Sequence, residues 1–200
     1  MRKSTRSGRV ATALSLMAAA CLVASCATAD PNTPIARVTE AQGEAFITRT
    51  NGASEPADLG DLLLPGDGFR TGAGTMKLTA MRGGTVDVYP NTDPFVEESL
   101  CFAISFFKKG KIRILGSGMC VNGVYQKSDV GYEMLGPDTM RIWVREGEVR
   151  QLIPPFATIT TGNRGDLAGG QIVNRAAIAP GEFESRFPPL PAANPNPVIL

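Results

Sequence analysis

Apolar and polar positions alternate along most of this chain, and the alternation breaks at glycine and proline. In "MKLTAM", Met76, Leu78 and Ala80 fall on one side and Lys77, Thr79 and Met81 on the other; "GGTVDVYP" sets Val86 and Val88 against Thr85, Asp87 and Tyr89. A period of two marks a half-buried strand. Gly83-Gly84 between the two runs predicts a tight hairpin, because glycine accepts positive φ without a Cβ clash. The alternation is clearest in "MRIWVREGEVRQLI", where Met140, Ile142 and Val144 face one way and Arg141, Trp143 and Arg145 the other, with Glu146-Gly147 read as a turn into Val149. "ARVTEAQGEAFITR" gives two short runs about Gly43, "PFVEE" another strand, and "FATITTG" and "GQIVNRAAIAPGE" close the region. Two apolar runs between Leu100 and Met119 flank Lys108-Lys109-Gly110 and predict a further hairpin. No window carries helical spacing over three turns, and strand signals recur every ~8–12 residues. The expectation is one all-β domain over residues 35–180, built of stacked, mostly antiparallel sheets as a β-sandwich or a short β-solenoid.

The ends of the chain read differently. Arg2, Lys3, Arg6 and Arg9 precede an apolar run from Val10 to Val23, the pattern of a secretory signal over residues 1–25. Val23-Ala24-Ser25-Cys26 resembles the bacterial lipobox, which implies lipidation of Cys26; Ala27 behind it implies sorting to the outer membrane, facing the periplasm. The alternative is ordinary cleavage near Ala29 and release as a soluble periplasmic protein. A diacylglycerol with an N-acyl chain would give the two-chain anchor that stable membrane attachment needs. Residues 26–34 then form a short polar tether. Residues 181–200, including "FPPLPAANPNPVIL", are too rich in proline to pair into a sheet and are expected to be extended and disordered.

Charge and cysteine count sharpen this picture. Four of the 20 Lys+Arg stand in the signal region, so 16 face 19 Asp+Glu in the mature chain. A mildly acidic domain gives no sign of nucleic-acid binding. Cys21 leaves with the signal and Cys26 takes the lipid, which leaves Cys101 and Cys120. In an oxidising compartment a disulfide between them is the default expectation, stabilising by about 3 kcal/mol in the chain-entropy model. Two free buried thiols are the alternative.

The glycine-rich stretch "GDGFRTGAGTMK", Gly66 to Lys77, looks at first like a phosphate loop. Its spacing argues otherwise. A P-loop needs lysine directly after the second glycine, and here Ala73 follows Gly72. A dinucleotide fingerprint wants a third glycine where Thr71 stands, and a helix where a strand follows. Gly66, Gly72, Gly83 and Gly147 are therefore assigned to turns. The sequence contains no histidine, which removes Ser-His-Asp and Cys-His catalysis and most zinc sites. Ser105-Phe106-Phe107-Lys108 spells S-x-x-K, but in a strand positions i and i+3 point to opposite faces, and the partner motifs S-D-N and K-T-G are absent. No catalytic residue, metal site or cofactor is expected.

Two sets of residues remain as candidates for contact. Phe102, Phe106 and Phe107 on a strand read as core. Trp143 shares its strand face with Arg141 and Arg145; exposed, these three would anchor a protein partner, because Trp and Arg dominate binding hot spots. A rival reading takes Glu146, Glu148 and Trp143 as a carbohydrate-binding or carbohydrate-hydrolysing set.

"LLLPGDGFRTGAGTMKLTAMRGGTVDVYPNT", Leu62 to Thr92, resembles the first half of the FecR domain in its "GD", "TG.G", alternating strand, glycine turn and "P.T" ending. "VGYEMLGPDTMRIWVREGEVRQL", Val130 to Leu152, resembles the second half with its "EG.V", and "ITTGNRGDLAGGQIV" the closing strand. The usual "DGS" turn is Arg82-Gly83-Gly84-Thr85 here, "GT.F" is Gly131-Tyr132-Glu133-Met134, and the two-cysteine segment has no counterpart. The resemblance covers about Ile35 to Val173. FecR proteins pass a signal from an outer-membrane receptor through a transmembrane helix to a cytoplasmic sigma-factor regulator. Nothing in this sequence resembles that helix or regulator, so the resemblance implies a sensor-side domain held by lipid. The function expected is a non-catalytic binding, scaffolding or sensing module of the bacterial envelope whose partner is another envelope protein. Oligomeric state is left open.

Overall fold

A row of left-handed backbone positions organises this protein. The computed structural model describes residues 32–98 and 102–191, within one unit spanning Pro31–Leu200. The signal region, Cys26, most of the tether, Cys101 and residues 192–200 lie outside the described residues, as do the side chains of 95–98, 102, 103, 105 and 106.

The strands are β1 (Ala36–Gln42), β2 (Ala45–Thr48), β3 (Ser54–Pro56), β4 (Leu62–Leu63), β5 (Gly68–Thr71), β6 (Thr75–Ala80), β7 (Thr85–Val88) and β8 (Asp93–Glu98). They continue as β9 (Phe102–Lys109), β10 (Lys111–Val121), β11 (Val124–Gly136), β12 (Thr139–Gln151), β13 (Thr158–Thr160), β14 (Asn163–Ala168) and β15 (Gln171–Ala177), and one short helix follows, α1 (Glu182–Arg186). All described strands belong to one hydrogen-bonded sheet, which branches at β10 and again at β12, where β13 and β14 share an edge. The fold is all-β, with stacked and mostly antiparallel layers. Among the described residues no helix is long and apolar enough to cross a membrane.

β10, β11 and β12 are long enough to serve both layers. Gly116 lies opposite Ser128, and Ser128 opposite Gly147. All three have positive φ, at 122°, 80° and 87°. A left-handed residue reverses the local pleat, so three of them in register fold the sheet over along one line. On one side of that line β10 pairs with β7, and through β6 and β1 with the first layer; on the other side it pairs with β9 and so with the second. Gly84 closes the row: a Cβ on Gly116 would lie 2.6 Å from the Gly84 Cα.

The β6–β7 hairpin forms as expected, Met76 opposite Val88 and Thr79 opposite Thr85, with Gly83 and Gly84 at φ 98° and 91°. Met140, Ile142 and Val144 are buried as expected. Glu146-Gly147 is not a turn. β12 runs through it, and the register skips Arg145, so that Asp129 faces Glu146 while Val130 faces Val144. One extra residue inverts the alternation, which is why Val149 and Gln151 point inward after Val144.

The hairpin expected from Leu100 to Met119 is also corrected. β9 is antiparallel to β8, and it meets β10 in parallel only at Phe102–Met119, Ala103–Cys120 and Ile104–Val121. Both edges of the first half of β10 are already taken, since Ile112 pairs with both Val88 and Tyr132. Gly110 packs so closely on Thr92 that a Cβ there would overlap its backbone, which carries the chain from one layer to the other. Ser105 to Lys108 lie on strand β9, as the dismissal of S-x-x-K requires, and Phe107 is core. Cys120 is buried at 5% exposure beside β9; its expected partner Cys101 is outside the described residues.

The glycine-rich stretch does serve as turns. Asp67, buried in the turn, accepts hydrogen bonds from the Thr50 and Leu64 amides and from Arg49 Nη1. Glu44 accepts from the Ala73 amide at 3.1 Å. Within the stretch the Ala73 amide is thus taken by a carboxylate, and the Asp67, Thr71 and Gly72 amides donate to the Leu64, Thr92 and Glu44 backbone carbonyls, so none of these four is free for a phosphate.

Candidate functional site: the Trp143 face

Five strands bring one row of side chains together on the outer face of the first layer. Asp87 on β7 lies opposite Arg113, Arg113 opposite Gly131, Gly131 opposite Trp143, and Trp143 opposite Arg164. The glycine leaves a gap in the middle of a row otherwise made of large side chains.

Phe187 fills that gap. A Cβ on Gly131 would overlap the Phe187 ring. The ring meets Tyr89 edge-on at 5.8 Å between centroids and Trp143 at 6.4 Å, and it packs on Phe183 at 5.1 Å. These four residues form a small second core, joined by Ile178 and Leu190 and separate from the main one. Edge-to-face geometry of this kind adds about 0.5–1.5 kcal/mol per pair beyond the area buried.

Trp143 is therefore 1% exposed, and the expectation of a free surface anchor is corrected. Its cover is residues 178–191, most of which fall in the tail expected to be disordered from 181 onward. The strap is built locally. Gly181 at φ 76° starts α1, and the Ala179 amide donates to Glu182 Oε2 at 2.9 Å. Phe183 and Phe187 are four apart, so one turn of helix puts both rings on one face. Prolines after Phe187 stop the helix, and the extended chain runs on along the sheet.

Polar contacts fix the strap at its edges. Tyr89 donates its hydroxyl to the Pro188 carbonyl at 2.8 Å, Lys111 Nζ to the Arg186 carbonyl at 3.1 Å, and Gln42 Nε2 to the Pro191 carbonyl at 3.0 Å. Burial pushes the Tyr89 phenol above its ordinary range, so it stays a donor. Arg145 reaches Glu184 at 3.2 Å and Arg186 reaches Glu133 at 3.6 Å. The arginines of both pairs are about half exposed, which keeps each pair at about 0–1 kcal/mol. Cations also stand over the rings: Arg113 and Arg145 over Phe183 at 5.4 and 5.9 Å, and Arg164 over Trp143 at 5.4 Å.

The two arginines singled out with Trp143 are held in place by carboxylates. Arg145, the extra residue of the bulge, bonds Asp129 Oδ2 at 3.1 Å, while Arg113 grips the same carboxylate in a two-pronged contact at 2.7 and 2.8 Å. Arg141 makes a similar fork onto Asp166 at 2.6 and 3.1 Å. Hydrogen bonds from Arg141 and then Asn174 hold the Asp166 carboxyl below its ordinary value, against the opposing effect of burial. Its stabilising contribution is therefore complete above the unfolded-state pKa near 4 and is lost as pH falls through the lower folded-state value. Asp166→Asn is expected to show a smaller drop in urea midpoint between pH 6 and pH 3 than the parent protein. Asp87 goes the other way: burial raises it despite Lys77 and Arg113 nearby, and its Oδ1 is buried without a hydrogen-bond partner.

Trp143 Nε1 is likewise buried with no partner. A buried indole N–H normally finds an acceptor, so the strap covers this face without meeting all its polar demand.

Glu146 and Glu148 do not join Trp143. Glu148 is held by Arg150 at 2.6 Å and Lys127 at 3.6 Å, beyond the fold line, and Glu146 is exposed at the bulge. A cleft of about 710 Å³ floored by Phe107, Met134, Met140 and Leu167, and another of about 370 Å³ edged by Glu44, Arg70 and Lys109, include none of the three. Among the described residues no group of three or more His, Cys, Asp or Glu is placed to hold a metal ion.

Tyr89, Gly131, Phe183 and Phe187 are site residues that the sequence alone does not single out. The i, i+4 phenylalanines of "EFESRFPPL" are the available signal, hidden by the prolines around them.

No family model matches the chain, and no curated protein does. One solved structure, described as a "Cell surface anchoring domain", is 22% identical and covers 30% of this chain and 82% of its own at a TM-score of 0.29. So loose an overlap carries no argument about fold or function.

Proposed function

We propose that this chain is a non-catalytic, FecR-like binding or scaffolding module of the bacterial cell envelope. In this reading Cys26 carries the lipid that holds it to the outer membrane on the periplasmic side, and Cys101 and Cys120 form a disulfide. The Trp143 face is where another envelope protein binds, through an aromatic side chain in the slot above Gly131.

The observation that supports this most directly is the slot itself. It is lined by Tyr89 and Trp143, floored by a glycine, flanked by Arg113 and Arg164, and occupied by the chain's own Phe187. The orphaned Trp143 Nε1 favours a partner that brings an acceptor where the strap brings none. The strap then acts as a placeholder that a better-matched segment displaces.

In-cell crosslinking and affinity capture of the full-length chain tests this with two variants. Phe187→Ala empties the slot and should raise capture of one dominant envelope protein. Gly131→Leu fills the slot and should abolish that capture. The same background set of abundant envelope proteins from all three chains would contradict the proposal.

A further inference from the structure

A second surface, on the far side of the fold line from the Trp143 slot, has a different chemistry. Of the eight exposed large hydrophobic residues among those described, three stand within five positions: Leu152 at 51%, Ile153 at 66% and Phe156 at 75% exposure. They crown the loop between β12 and β13. The neck of that loop is closed, with Arg150 opposite Thr158 and the Gln151 amide donating to the Ala157 carbonyl at 2.8 Å. The result is a braced finger with an apolar tip.

Two features match this tip to a bilayer better than to water. Inserting backbone into lipid is costly wherever an N–H is left unmet. Here Pro154 and Pro155 have no N–H, and the Leu152 amide donates to the Gly123 carbonyl at 3.3 Å, so only Ile153 and Phe156 bring free donors to the tip. The charge pattern agrees. From Gln151 to Asn163 there is no charged residue, and the stretch is bounded by Arg150 and Arg164. At the base of the finger, Arg150 and Lys127, each about half exposed, share the single carboxylate of Glu148. An apolar tip above a net-basic collar is complementary to acyl chains beneath anionic headgroups.

We propose that the Leu152–Phe156 tip inserts into the headgroup–acyl boundary of an anionic lipid bilayer, giving the domain a membrane contact of its own. The contact does not depend on the Trp143 slot, and it would fix which way the domain faces on the membrane.

The test uses residues 27–200, which keep the whole described unit but lack Cys26 and the apolar run before it, so that no lipid or signal segment holds the protein to vesicles of phosphatidylcholine and phosphatidylglycerol. In Phe156→Trp, fluorescence from position 156 should be quenched at least twofold by brominated acyl chains, above the constant background of the buried Trp143. Ile153→Asp with Phe156→Asp should lower the vesicle-bound fraction at least fivefold while leaving the urea midpoint unchanged, since both side chains are exposed. An unquenched indole at position 156 on vesicle-bound protein would overturn the proposal, as would equal binding by the double variant. A double variant that instead loses self-association at unchanged vesicle binding would assign the tip to protein contact and also overturn it.

Discussion

Trp143→Ala is expected to lower the unfolding free energy by about 3–5 kcal/mol, the usual cost of truncating a fully buried large aromatic. The change would empty a position that is 1% exposed, remove the edge-on contact with Phe187 and leave Arg164 without the ring it covers. Trp143→Phe keeps most of the packing and also removes a buried N–H that has no acceptor. It should cost less than about 2 kcal/mol, because deleting an unsatisfied donor offsets part of the lost contact. Urea denaturation followed by far-ultraviolet circular dichroism measures both without relying on tryptophan emission. A Trp143→Ala protein as stable as its parent would mean that residues 178–191 do not cover this face in solution.

Gly147→Val is expected to be comparably damaging, at about 3–5 kcal/mol, for a reason unrelated to the slot. Position 147 sits at φ 87°, where a β-branched residue is strained, and a Cβ there would overlap the Lys127 carbonyl on the neighbouring strand. That carbonyl cannot move alone, since Lys127 is paired with Ser117 on one side and Glu148 on the other. Thermal or urea unfolding reads the loss. Gly123→Ala, at φ 81° but in open space, serves as the control for backbone strain without overlap and should cost about 1–2 kcal/mol. Equal effects at the two positions would show that the fold line tolerates a side chain and is not a corner.

These two substitutions mark the boundary of what the sequence could convey. Period-two alternation reports which residues share a strand face, and it places Met140, Ile142 and Val144 in the core correctly. It says nothing of what covers the opposite face. Trp143 and Tyr89 are buried from outside by a segment that lies beyond β15, and that segment's prolines argue against any regular structure. Bulges are equally silent. Arg145 is one extra residue in β12, and no local signal distinguishes that from a turn at Glu146-Gly147, because both need the same left-handed glycine.

The β9–β10 error has a similar origin. Two apolar runs flanking a glycine look like a hairpin whenever the intervening edge is free, and only the full pairing pattern shows that the first half of β10 has no free edge. The candidate site is legible in one respect: Trp143, Arg141 and Arg145 do share the outer face of one strand. Their roles are not, since Arg141 and Arg145 are each held by a buried carboxylate, Asp166 and Asp129, that becomes a neighbour only when the sheet is assembled.

Whether residues 178–191 close the Trp143 slot as a separable strap is decided most directly by native-state hydrogen exchange. The Phe187 amide bonds to the Phe183 carbonyl within the strap, and the Ile178 amide to the Gly162 carbonyl at its base; the Ile142 and Val144 amides report the central strands. The strap amides should exchange through a local opening that urea barely accelerates, while Ile142 and Val144 exchange only with global unfolding. If the Phe187 amide instead merges with the central strands at every urea concentration, the strap is an inseparable part of the core, and the slot is not available to a partner.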